Sequence, residues 1–444
     1  MRLAQPLAAV LALALGLAAR TAECAPVLMI SIDGLRPGDV TEAKARGVEA
    51  PTLEGLMARG AWAQGVRDAL PSVTYPNHTT LVTGVRPARH GVASNTVFDP
   101  LKKDMGGWYW YATDIKVPTL WDAAHKAGLV TASLGWPVTV DAPSIDYDIP
   151  EYWRARTAND LKLEHALVTR GLMETITADS GVRLSDMADT MPAADEAKAR
   201  AAAALIAEHK PGFFTLHLSS LDEEQHLHGP GSPEAHDALR RIDAAVAGLI
   251  AKARQAEPDL VVAIVSDHGF AAVEHDINLE AAFVEAGLIT LDPAGHPIAW
   301  EAAPWVSGGS AQVVLAHPED GAVRARVKAL LDRLAADPSS GIARVIDRDG
   351  IAAMGGARDG DFFVDAKIGY EFGSKLQGPL VGPPSTKGMH GYFPDHPEMR
   401  ATLIIEGPGV PHRSLGEVDM RDIAPTVAQL LHVSLPSADG HPLF

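Results

Sequence analysis

Three short, mainly apolar stretches, each running into acidic residues or histidines, constrain this chain more than anything else in it. Val27 to Ile32 ends in Asp33-Gly34, Phe213 to Leu218 precedes Asp222, and Leu260 to Val265 ends in Ser266-Asp267-His268-Gly269. A strand that is apolar on both faces must be covered on both faces, so such runs suit the central strands of a parallel sheet clad by helices. Open α/β sheets collect their ligands just past the carboxyl ends of their strands. Three polar clusters lie at that edge here.

Helical patterns fill the intervals. After Ser232-Pro233, an N-cap and first-turn pair, Leu239, Ile242, Val246, Leu249 and Ile250 recur at helical spacing within Ala235 to Arg254. The Ala-rich stretch from Ala193 to His209 reads the same way. From about Trp305 to Pro384 the pattern changes to short strands such as Ala311 to Leu315, one helix over Val323 to Ala336, and a Gly- and Pro-rich close. The expected organisation is a leader over 1–25, a catalytic α/β core over 26–304, a small inserted α+β lobe over 305–384, and a return to the core over 385–444. The return carries a strand over Ala401 to Ile405 and a helix over Ile423 to Leu431.

The leader is expected because Met1-Arg2, an apolar stretch through Ala19 and the polar Arg20 to Ala25 follow the order of a secretory signal peptide. The apolar run is short of the ~20 residues that a membrane span needs. Cys24 is the only cysteine, so a mature chain cut beyond it has neither an internal disulfide nor a thiolate. A soluble periplasmic or secreted protein without a transmembrane anchor is expected. Its net charge of −18 argues against a broad electrostatic grip on a nucleic-acid duplex, so an anionic substrate would need a local positive focus.

Bound metal would supply one. Asp33, Asp222, His226, Asp267, His268 and, much later, His390 in Gly388-Met389-His390-Gly391 are carboxylate and imidazole ligands of the kind zinc takes. Six of them allow two three-ligand sites. Taken singly, Asp33 reads as a helix cap and Asp222 to His226 as a solvated turn. Asp267-His268 is harder to dismiss, because adjacent ionisable residues directly after a buried strand are costly unless something binds them. Between the first two clusters runs Pro71-Ser72-Val73-Thr74-Tyr75-Pro76-Asn77-His78 and onward to Gly84. Pro76 suits the first turn of a helix that Gly84 ends, which puts Thr74 at or near the N-cap. There its hydroxyl either caps the helix or, beside exposed N–H groups and a metal, meets a phosphate as nucleophile.

Thr74-Tyr75-Pro76-Asn77-His78 followed by Leu81-Val82-Thr83-Gly84, Arg86-Pro87, His90-Gly91 and Asn95 resembles the signature of the nucleotide pyrophosphatase/phosphodiesterase family of the alkaline phosphatase superfamily. The likeness extends in order through Ser31 to Gly34, Asp222-x-x-x-His226, Ser266 to Gly269 and Gly388-x-His390-Gly391. It implies an alkaline-phosphatase-like, mainly parallel sheet sandwiched between helices. It implies two Zn²⁺ per chain, one held by Asp222, His226 and His390, the other by Asp33, Asp267, His268 and the Thr74 oxygen. Thr74 is then the nucleophile of a threonyl-phosphate mechanism, Asn95 donates to a phosphoryl oxygen, and Tyr75 resembles the aromatic residue that stacks on a leaving group. Thr79 departs from the tyrosine frequent after Asn-His, and 138–153 departs from the nucleotide-binding members, so the small-molecule phosphodiester or nucleotide substrate stays unspecified.

Two other readings compete. Threonine-dependent monoesterases of the superfamily add a Lys-x-Arg pair that grips the second phosphate charge. The pairs present here, at Lys44, Lys198 and Lys252, fall in expected helices away from the strand ends, which favours a diester. A metal-stabilised binding protein without turnover would lack the nucleophile or one ligand set, and both are present. Oligomeric state is not fixed by the sequence.

Overall fold

The computed structural model describes residues 25–104, 107–152 and 158–444. The expected leader, Cys24 included, lies outside the described residues except for Ala25. The core is an eight-stranded sheet in the order Arg413–Ser414, Ala61–Trp62, Leu403–Glu406, Val261–Val265, Val27–Ile32, Phe213–Leu218, Thr131–Leu134, Tyr147–Ile149. From Val261–Val265 to Tyr147–Ile149 every pairing is parallel, and Leu403–Glu406 adds antiparallel to Val261–Val265.

The central strand shows why its sequence is apolar throughout. Successive side chains of a strand point to opposite faces. Leu28, Ile30 and Ile32 join Leu205, Leu239, Ile242 and Val246 of the helices Pro192–His209 and Pro233–Ala256 on one face. Val27 and Met29 join Leu81, Trp121, Ile423 and Val427 on the other. With a helical layer on each side, a polar residue on either face is buried, and each large apolar side chain contributes roughly 2 kcal/mol by leaving water.

Val27 pairs with Phe213 on one side and Val261 on the other. This register ends the three strands side by side, with the Asp33 N–H bonded to the Leu218 carbonyl at 2.9 Å. A second, four-stranded antiparallel sheet runs Ala302–Ser307, Ser310–Leu315, Phe362–Ala366, Ile342–Asp347, and the helix Gly321–Ala336 packs Val327 and Leu331 into the core cluster that includes Val313 and Val364. The strand Ala271–Ile277 follows Asp267 to Phe270 and pairs with Gly388–Met389, Gly388 opposite Ala272 and Met389 opposite Ala271. That short ladder delivers His390, distant in sequence, to the carboxyl edge of the main sheet.

Candidate active site

Asp33, Asp267 and His268 form one group whose potential ligand atoms all lie within 4.8 Å of one another, and all three side chains are buried. His268 Nε2 is 3.0 Å from Asp267 Oδ2 and 3.3 Å from Asp33 Oδ1, while its Nδ1 faces the Gly269 carbonyl at 3.0 Å. Burial, followed by the charges of Asp267 and Asp222, holds the Asp33 carboxyl well above its ordinary range. Burial works against charge on Asp267 too, but His268 and His78 keep its carboxyl below the usual range. The His268 imidazole is pushed up to about 10: burial opposes its charge, and Asp267 outweighs it.

Asp222, His226 and His390 form a second such group. The Asp222 segment is not the open turn its polarity suggests, because Ser220–His228 is helical and the i, i+4 spacing puts Asp222 and His226 on one face, 3.4 Å apart. His390 Nε2 is 3.7 Å from Asp222 Oδ1. Each ring is fixed by its other nitrogen, His226 Nδ1 at 2.9 Å from the Gly388 carbonyl and His390 Nδ1 at 2.9 Å from the Ser72 carbonyl. Such outer contacts leave Nε2 as the free face of each imidazole. The two groups adjoin, since the rings of His268 and His390 stack at 3.6 Å.

This donor set fits divalent cations. Asp267 makes both Asp33 and Asp222 harder to ionise, and the Asp33 Oδ1 and Asp222 Oδ1 atoms are buried without any hydrogen bond among the described residues. A buried carboxylate oxygen left unpaired is expensive unless a cation faces it.

Thr74 opens the helix Thr74–Thr83, with Val73 as the N-cap and Gly84 closing the helix at φ +69°. Thr74 thus sits one residue inside the helix, and the N-cap residue Val73 makes no side-chain cap bond. Asn95 supplies the missing function, its Oδ1 accepting the Tyr75 N–H at 2.8 Å. Its amide nitrogen has no acceptor among the described residues. His78, one turn on, bonds the Thr74 carbonyl at 2.9 Å and lies 3.6 Å from Asp267 Oδ2, so the helix start is tied to the first group. Ser72, bonded to His390, ties it to the second. Tyr75 is fully buried and packs on Trp108 at 5.2 Å, with its hydroxyl toward Glu151. A ring so enclosed presents no open face for a leaving group, because the aromatic wall it belongs to already covers it.

His217 and Glu151 were not singled out in the sequence reading. His217 lies between Asp33 and Glu151, at 3.0 Å from Asp33 Oδ2 and 2.8 Å from Glu151 Oε2. The signal was available: a histidine inside the strand Phe-Phe-Thr-Leu-His-Leu has to be satisfied by something. Lys198 also corrects the reading that its helix lies away from the strand ends, since Lys198 Nζ reaches Ser219 Oγ at 3.3 Å. Arg200, two residues on, is exposed, so the pair does not converge on one anion.

Behind Lys198, Glu164 is buried, its Oε2 makes no hydrogen bond among the described residues, and burial pushes its carboxyl up to about 7 from 4.5. The folded protein therefore holds this proton more tightly than the unfolded chain, and stability is lost as pH rises from 4.5 to 7. Glu164→Gln removes the titration. It is expected to be more stable than the parent by roughly 3 kcal/mol at pH 8, with most of the gap closed at pH 5, at about 1.36 kcal/mol per pH unit. Denaturant midpoints at the two pH values check this, and a pH-independent gap contradicts it.

A mainly parallel α/β sheet carrying two acid and histidine groups and a helix-borne threonine along its carboxyl edge is an alkaline-phosphatase-like arrangement. The chain belongs to the type I phosphodiesterase / nucleotide pyrophosphatase family, whose profile matches residues 27–393. It is 26% identical over 258 residues to human ectonucleotide pyrophosphatase/phosphodiesterase family member 1, an alignment covering 56% of this chain and 24% of that one. The chain thus spans about a quarter of the length of the relatives it matches first. Among solved structures, human ectonucleotide pyrophosphatase/phosphodiesterase 5 superposes with a TM-score of 0.64 at 18% identity, covering 94% of this chain and 96% of that one. An inactive threonine-to-alanine form of the murine protein, in complex with AMP, superposes at 0.65 and 18% identity with the same coverage. No helix among the described residues is long and apolar enough to cross a membrane.

Proposed function

We propose that this chain is an exported phosphodiesterase or nucleotide pyrophosphatase that uses Thr74 as nucleophile and two Zn²⁺ as cofactors. The observation that supports it most is the meeting of the Thr74 helix start, through His78 and Ser72, with both three-residue groups. Asp33, Asp267 and His268, with the Thr74 oxygen, would hold one ion, and Asp222, His226 and His390 the other. Bound zinc supplies Lewis acidity that favours the ionised threonine hydroxyl and the departing oxygen.

The residues of the chain account for the rest. The Thr74 oxygen attacks phosphorus in line, a P–O bond forms, and the bond to the leaving alcohol or phosphate breaks, its electron pair going to the leaving oxygen. The Thr74 N–H, which has no partner among the described residues, and the Asn95 amide nitrogen donate to the phosphoryl oxygens. Water then cleaves the threonyl-phosphate, and two displacements retain configuration at phosphorus.

A monoesterase is the alternative with a specific discriminator. With Lys198 directed to Ser219 and Arg200 exposed, the Lys198 pair offers no clamp for a second phosphate charge. Diesters are therefore expected to exceed monoesters in kcat/KM, by about tenfold or more if one charge-assisted contact of roughly 1.5–3 kcal/mol is missing. Bis-aryl and mono-aryl phosphates with one leaving group measure it. A monoester preference moves the chain to the neighbouring class.

A further inference from the structure

We infer that His217 is a positioning residue that assigns separate tasks to the two oxygens of Asp33, and that Glu151 holds His217 in place for it. The inference rests on the reading that Asp33, Asp267 and His268 hold a metal ion. His217 is inaccessible to solvent and lies in the strand Phe213–Leu218, flanked by Leu216 and Leu218. Its two ring nitrogens serve opposite directions. Nε2 is 3.0 Å from Asp33 Oδ2, whereas Nδ1 is 2.8 Å from Glu151 Oε2 and 3.1 Å from the Gly135 carbonyl.

The consequence falls on Asp33. Oδ2 is occupied by His217, and Oδ1, which makes no hydrogen bond among the described residues, is the oxygen that faces His268 at 3.3 Å. A carboxylate held at one oxygen cannot swing to present both, so Asp33 is restricted to a single-oxygen ligand aimed into the first group. Register makes this possible: His217 is paired with Ser31 on the adjacent strand, two residues before Asp33. Glu151 completes the arrangement from the far side, where Tyr75 and Lys198 help to keep it ionised. A buried histidine with a carboxylate at each nitrogen has no packing rationale that leucine would not meet better. Its cost is explained by a partner whose orientation matters, as outer-shell partners of metal ligands do.

The two amide substitutions separate this role from packing. The glutamine amide nitrogen reaches the place of Nε2 and keeps the bond to Asp33, whereas the asparagine amide nitrogen matches Nδ1 and loses it. Zinc affinity of the mature protein is measured by competition with a fluorescent chelator, and ion count by elemental analysis, without substrate. The parent is expected to take up two Zn²⁺. His217→Asn is expected to bind one of them about 10–100-fold more weakly and the other as the parent does. His217→Gln is expected to stay within a few-fold of the parent at both sites. Glu151→Ala is expected to weaken the same single site by several-fold, and it decides the matter if the asparagine variant does not fold. Equal losses in the two His217 variants, or parental affinity in every folded variant, overturn the inference while leaving the metal reading intact. A parent that binds no zinc overturns the metal reading, and this inference with it.

Discussion

Thr74→Ala is expected to lower turnover of a phosphodiester by roughly 10⁴-fold or more while leaving a folded, metal-loaded protein. The chemical part is direct, because alanine removes the only atom of residue 74 that can bond phosphorus. The structural part follows from the helix start. An N-cap threonine would cost about 0.5–2 kcal/mol on removal. Thr74 is not the cap, makes no cap bond, and leaves that work to Asn95 on the Tyr75 N–H. The stability loss should therefore be at the low end, under about 1 kcal/mol, and the groups around Asp33 and Asp222 have no hydrogen bond to the Thr74 side chain to lose. Thr74→Ser keeps the hydroxyl and should keep substantial activity. The decisive measurements are kcat on an aryl diester, the denaturation midpoint and the zinc content of the same preparation. Near-normal kcat in folded, zinc-loaded Thr74→Ala protein would sink the covalent mechanism.

The same helix start marks where sequence reading reaches its limit. The strands were legible because a both-faces-apolar run has few other homes, and Val27 to Ile32 coincides with the observed strand. The long helices were legible from periodicity and caps, and Ser232 does accept the Ala235 N–H as its position requires. The two groups of acids and histidines were legible as residue types at strand ends, and the structure brings their atoms together. What could not be read was anything that depends on pairing across the sheet. His217 and Glu151 are 66 residues apart, and only the register of parallel strands brings their side chains to 2.8 Å. The bond from the Tyr75 N–H to Asn95 could not be read either, because capping from 20 residues away leaves no local pattern. Tyr75 looked available to substrate because sequence carries no measure of how completely Trp108 and its neighbours enclose it. Lys198 looked remote for the same reason, its helix being placed against the strand end by tertiary packing alone.

Chelation is expected to have the second large effect, and on two quantities at once. Asp33 and Asp267 are buried beside the half-buried Asp222, the first raised well above its ordinary range by burial and by the other two, and the facing rings of His268 and His390 stack at 3.6 Å. Without cations that arrangement retains carboxylate repulsion and unpaired oxygens at Asp33 and Asp222. Removing zinc should therefore abolish diester hydrolysis, by about 10³-fold or more, and also lower the unfolding midpoint. The stability lost per site is about 2.7 kcal/mol when free zinc had stood at a hundred times its dissociation constant. Adding Zn²⁺ should restore both, and the midpoint should then climb with free zinc concentration, as binding to the folded state requires. Asp222→Ala supplies the internal control, because it strips one group and leaves the other whole. It should hold one ion in place of two and respond to chelator with about half the shift in stability. Active enzyme found free of transition metal, or a chelated protein with unchanged activity and midpoint, would show that the two groups serve packing and not cations.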